Sequence, residues 1–87
     1  MKIKEGFAKR QIAGANMVVP VGAAAKELNA MITLNDTGSF IWDCLKKDMT
    51  LDELTERIVQ EYEVDRERAA SDAEKFLKLL SDNGILE

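Results

Sequence analysis

The chain has 87 residues, 46% apolar and 6% aromatic, with a net charge of −4, one cysteine and no histidine. This length predicts a single domain spanning 1–87, near the lower size limit for folding without disulfides or metals. No run of about 18 apolar residues supplies a membrane span, and MKIKEGFAKR lacks the apolar segment of a signal peptide.

The lone thiol, Cys44, has no internal partner for a disulfide, and its setting in IWDCL is apolar. It reads as a small buried hydrophobe in a reducing, cytoplasmic compartment. Charge is unevenly placed. Residues 1–34 hold five Lys/Arg and two Asp/Glu, whereas residues 35–87 hold seven and fourteen. The second part is therefore strongly acidic.

The chain divides by hydrophobic period, with strands before residue 35 and helices after it. FAKRQIAG and NMVVPVG, flanking Ala15, predict two strands of a hairpin turning at Gly14–Ala15–Asn16. Pro20 has no N–H for a ladder, so the second strand ends or bulges near it. GAAAKE reads as a loop or a single turn. LNAMITL alternates, with Leu28, Ala30, Ile32 and Leu34 on one face and Asn29, Met31 and Thr33 on the other. That pattern predicts a strand packed on one side, completing an antiparallel meander.

Asn35 or Asp36 caps the first helix. Phe40, Ile41, Cys44 and Leu45 form its stripe, Trp42 adds bulk beside it, and the helix stops at residues 46–48. Thr50 and Glu53 form a capping box for the second helix. Leu51, Leu54, Ile58, Val59 and Tyr62 line its inner face. Its outer face holds Asp52, Glu53, Thr55, Glu56, Arg57, Gln60 and Glu61. Asp65 caps a third helix of about 18 residues reaching Asn83, or some 27 Å. Its inner face is Ala69, Ala73, Phe76, Leu77 and Leu80, and Gly84 supplies the left-handed position after it. Ile85 and Leu86 fold back on the core. The predicted fold is α+β, βββααα and winged-helix-like, with the sheet first.

Enzyme chemistry finds little support. Histidine, the commonest general base and metal ligand, is missing. The five glycines form no phosphate-cradling motif, and the carboxylates lie on polar helix faces. No catalytic residue, metal site or cofactor is expected. The paired short helices resemble the layout of a helix-turn-helix DNA binder, which leaves a winged-helix DNA-binding or regulatory domain as the alternative reading. Against it, four of the seven outer residues of the second helix repel phosphate. The strand Leu28–Leu34 carries neither proline nor charge, so as an edge it is undefended. Its pattern leaves two occupants open, a partner strand bound by strand addition or the protein's own third helix.

The run LNDTGSFIWDCL, the segment TLDELTERIVQEYEVD and a last helix ending in NGIL together resemble the pyrroloquinoline quinone biosynthesis protein D (PqqD) family. The most specific pieces are Asn35, Thr37, Gly38, Ile41 and Trp42 in N-x-T-G-x-x-I-W, the capped second helix and the E-Y-x-V-D break. The likeness extends over nearly the whole chain, including VPVG.

That resemblance implies a non-catalytic adaptor. It would bind the leader of a ribosomally made precursor peptide and present it to a modifying enzyme, often a radical S-adenosylmethionine protein. It implies a three-stranded antiparallel sheet with three helices, the leader adding to the third strand beside the third helix. Carried onto this chain, Asn29, Ala30, Met31, Ile32 and Thr33 would pair with the peptide. Small Ala69, Ala70 and Ala73 would leave room for a groove, floored by Phe76 and Leu77. Arg66 and Lys75 would attract acidic leader residues. Trp42 would be core, and Asn35 and Thr37 caps. The resemblance does not select a precursor or a product. The expected state is a monomer or weak homodimer, binding neither nucleic acid nor membrane.

Overall fold

Residues 7–20 form a tight antiparallel hairpin. Strand β1 (Phe7–Ile12) pairs along its whole length with β2 (Ala15–Pro20), from Phe7 opposite Pro20 to Ile12 opposite Ala15. Only Ala13 and Gly14 remain to turn the chain, with φ of 52° and 84°. Two central residues with positive φ make a type I′ turn, whose twist matches that of the strands. The turn thus sits one residue earlier than the sequence suggests. Ala13 takes a left-handed conformation that alanine adopts at a cost, while Gly14 takes its own freely.

The computed structural model describes residues 1–22 and 31–87. The expected loop at GAAAKE, and the Leu28–Ala30 part of the third strand, lie largely outside the described residues. Strand β3 is described over Ile32–Leu34. It pairs antiparallel with β2, Asn16 opposite Leu34 and Val18 opposite Ile32, giving the order β1-β2-β3. One face of this sheet carries Phe7, Lys9, Val18, Ile32 and Leu34. Val18 is fully buried and Leu34 nearly so. The alternation expected for residues 31–34 is present, with Met31 and Thr33 exposed.

Three helices follow, each opened by a side chain that accepts from the first turn. Asn35 accepts from the Gly38 N–H at 2.7 Å and starts α1 (Asp36–Cys44). The capping box at Thr50 and Glu53 is closed by two 3.1 Å bonds and starts α2 (Leu51–Tyr62). Asp65 accepts from the Arg68 N–H at 2.8 Å and starts α3 (Arg66–Asp82). Each side chain satisfies a donor that has no partner within the helix. At the far end of α3, the Ile85 N–H donates to the Leu80 carbonyl and the Gly84 N–H to that of Ser81. With Gly84 at φ 70°, this is a Schellman closure. It turns Ile85 fully into the core.

Ile41, Trp42, Leu45, Leu54, Ile58, Ala69, Ala73, Leu80 and Ile85 are almost wholly covered and form one cluster with Val18 and Leu34. Thr55, read from the sequence as an outer residue, is 2% exposed. Its hydroxyl donates to the Leu51 carbonyl at 2.8 Å, so burial leaves no unmet polar atom. Lys9 also departs from its residue type. Its stem lies on the inner face of the sheet, and its ammonium reaches Ser39 at 2.8 Å and both Asp43 oxygens at 2.9 Å, tying β1 to α1.

The amino-terminal residues close the remaining side. Ile3 donates to the Leu45 carbonyl, Lys4 to that of Ile85, and Glu87 to that of Lys2. Ile3 bridges Leu86. Both chain ends thereby meet over the α1–α2 connection.

Cys44 is buried, and burial raises its thiol above the ordinary value; Arg57 opposes the shift and Asp43 and Glu61 add to it. Labelling by a thiol reagent at mildly alkaline pH is therefore expected to be slow in the native protein and to accelerate in step with urea unfolding. Fast labelling without denaturant would show that the thiol is accessible.

Candidate functional site

The sheet has an open flank. Strand β3 follows β2 in the sheet order, and no described strand covers its other side. Its backbone groups there form a row of donors and acceptors of the kind proteins either cover or use. Residue side chains around this edge carry no charge: Met31 is 56% exposed, Thr33 is exposed and Ile32 is half-buried.

Where β3 runs into α1, a hollow of about 400 Å³ opens between the start of α1 and the flank of α3. Asn35, Thr37, Gly38 and Ile41 line one wall, and Arg68, Asp72, Lys75, Phe76 and Leu79 the other. Gly38 sets how close the walls come. A Cβ built there would stand 3.0 Å from the Phe76 ring and 3.1 Å from Asn35 Oδ1. The glycine thus lets the half-buried Phe76 approach the first turn of α1 closely. A smaller hollow of about 200 Å³ continues from it across Thr37, Arg68 and Asp72 to Ile58, Tyr62 and Val64.

This second hollow is fixed by the end of α2. Glu63 takes a left-handed conformation (φ 52°) as the C-cap and turns Val64 inward. The Tyr62 hydroxyl donates to the Asp36 carbonyl at 3.2 Å, and its ring meets Phe40 edge-on at 5.6 Å. Burial pushes the Tyr62 phenol above its ordinary range, with Glu61 and Asp36 adding to the effect. It therefore stays a neutral donor at physiological pH.

Of the α3 residues singled out in the sequence, Lys75 and Phe76 line this space, whereas Ala69, Ala73 and Leu77 do not. Each residue turns a helix by about 100°. Ala69, Ala73, Leu77 and Leu80 form one row, and all four are buried in the core. The first two are fully covered, so they bring the helix close without touching the hollow. Ala70 lies on the opposite flank, the side on which Arg66 reaches α2. The row that lines the hollow, Arg68–Asp72–Lys75–Leu79, is offset from the core row by one residue. Its i, i+4, i+7, i+11 spacing is as regular as that of the core, and of its three charged members only Lys75 was singled out in the sequence. That spacing beside the core stripe was the available signal.

Arg66, expected to meet a ligand, is already engaged. Its guanidinium pairs with Glu56 at 2.8 Å and approaches Asp52 at 3.7 Å. Asn35 caps as expected, but it also lines the hollow, as does Thr37. Trp42 is core, 2% exposed. Of the strand residues, Met31, Ile32 and Thr33 stand at the open edge, while Asn29 and Ala30 lie outside the described residues.

The fold and this edge define a small α+β domain in which a meander presents its last strand beside a helical hollow. The chain belongs to the coenzyme PQQ synthesis protein D (PqqD) family, whose sequence profile matches residues 17–86. Among solved structures it is similar to TbiB1 in complex with the TbiA(beta) leader peptide. The identity there is 26% and the TM-score 0.77, over 100% of this chain and 95% of that one. It also shares its fold with lasso peptide synthetase B1 complexed with the leader peptide, at 20% identity and a TM-score of 0.76, over 99% and 95% of the two chains. No curated protein sequence matches it. Among the described residues no helix is long and apolar enough to cross a membrane.

Because Ala73 is fully covered, Ala73→Leu is expected to overpack the core and destabilise the fold by about 1–3 kcal/mol in urea denaturation. A neutral effect on stability would mean that the side chain has open space before it after all.

Proposed function

We propose that this protein is a non-catalytic, cytoplasmic adaptor acting as a single domain over residues 1–87. It binds the leader of a ribosomally synthesised precursor peptide and presents it to a radical S-adenosylmethionine or other peptide-modifying enzyme. The leader enters as an extended segment. It adds to the free side of β3, from Asn29 through Thr33, and lies along the hollow between α1 and α3. Main-chain bonds to the strand give affinity irrespective of sequence, and the hollow supplies the selectivity.

The observation that carries this reading is the uncharged outer edge of β3 opening beside a lined hollow. Family membership supports it, and so does the likeness to TbiB1, a protein seen with a leader peptide on it. Charge argues against a nucleic-acid ligand. The exposed face of α2 carries Asp52, Glu53, Glu56 and Glu61, and counterion release needs the opposite sign.

The test is a calorimetric titration with the leader segment of a short peptide encoded beside this protein, with duplex DNA run in parallel. Saturable binding of the peptide alone is expected. In hydrogen exchange, amides of Met31–Leu34 that point away from β2 should slow about tenfold or more on saturation, in an alternating pattern. Binding to DNA alone, or peptide binding without protection of this strand, would contradict the proposal.

A further inference from the structure

The α3 wall of the hollow carries an unusual set of charges. Arg68, Asp72 and Lys75 stand at i, i+4 and i+7, spacings at which neighbouring opposite charges on a helix meet. Elsewhere the molecule uses such spacings: Lys46 pairs with Asp43 at 3.6 Å, and Lys78 with Asp82 at 3.3 Å. Arg66, two residues before Arg68, is drawn to α2. Yet none of Arg68, Asp72 and Lys75 takes part in an ion pair among the described residues. All three line the hollow instead. Their alternating signs sit above an apolar floor of Phe76, Leu79 and Ile41.

Resting on the peptide-docking reading, we infer that Arg68 and Lys75 read carboxylates on the docked peptide. The peptide class they select has two acidic side chains on one side of the added strand, separated by an uncharged residue on that same side. A peptide strand lying along α3 sets the spacing. Seven helical residues separate the two cations by about 10 Å along the axis. Same-side positions on a strand recur about every 6.6 Å, so positions four apart are separated by about 13 Å. Long Arg and Lys side chains close the difference. Asp72 lies between the cations and repels a third carboxylate there, while Phe76 and Leu79 offer that middle residue an apolar seat. The rest of the molecule sharpens the choice. Residues 35–87 carry seven more acidic than basic side chains, so an acidic peptide is disfavoured over most of the helical surface and gains only at this pair.

Charge reversal tests this without disturbing the fold. Both side chains are exposed, and an acid at position 68 lies in the first turn of α3, where it complements the helix dipole. The full-length protein and its Arg68→Glu/Lys75→Glu variant are each used to select from a random-peptide display library, with thermal melts by circular dichroism confirming equal folding. The wild type is expected to enrich peptides with Asp or Glu at positions four apart around an uncharged residue. The variant is expected to enrich Lys or Arg at those positions and to bind the wild-type winners about tenfold more weakly. Enrichment without acidic bias, or a bias that survives the reversal, would overturn the charge reading while leaving peptide docking intact. No enrichment by the wild type would overturn peptide docking and this inference with it.

Discussion

The structure depends on α1. At nine residues it is too short to be helical alone, so it depends on the packing of its buried face, Gly38, Ile41, Trp42 and Cys44. Ile41, Trp42 and Leu45 are buried among the sheet and the other two helices, and Lys9 fastens its outer face to β1. Trp42 supplies the largest single burial in a core otherwise built from aliphatic side chains. In a domain this small, one such residue is a large share of the favourable term. The position of α1 then fixes the site, because the helix begins one residue beyond the strand that presents the open edge.

Gly38 joins packing to recognition. It allows Phe76 of α3 to approach the first turn of α1, and both residues line the larger hollow. The glycine stands in the first turn of α1, where its N–H donates to the Asn35 cap. The left-handed Glu63 and the Schellman closure at Gly84 serve similar ends. One turns Val64 into the smaller hollow, and the other drives Ile85 beneath α3.

Much of this was legible in the residues. The three caps, the capping box, the amphipathic stripe of α2 and the Gly84 stop are local devices whose chemistry lies within four residues, and each is found where the sequence places it. The errors came where tertiary context decides. The hairpin turned at Ala13–Gly14 because strand pairing outweighed the reluctance of alanine to take positive φ. Thr55 went inward because its hydroxyl could be satisfied within its own helix. Small size suggested that Ala69, Ala70 and Ala73 face a groove, but small residues also let helices approach, and the packing of α3 on α2 assigned Ala69 and Ala73 to that role. The resemblance implied a role for the strand, whereas the helix row lining the hollow became visible only once the rotation of α3 was known.

The central claim is that a peptide completes the sheet at β3. The most direct measurement is isotope-filtered nuclear Overhauser spectroscopy on labelled protein saturated with an unlabelled leader peptide. The account predicts backbone-to-backbone contacts between the peptide and residues 31–34 in the alternating pattern of a β ladder, together with contacts to the Phe76 ring. Contacts confined to the outer face of α2, or to side chains of the far face of the sheet, would contradict it.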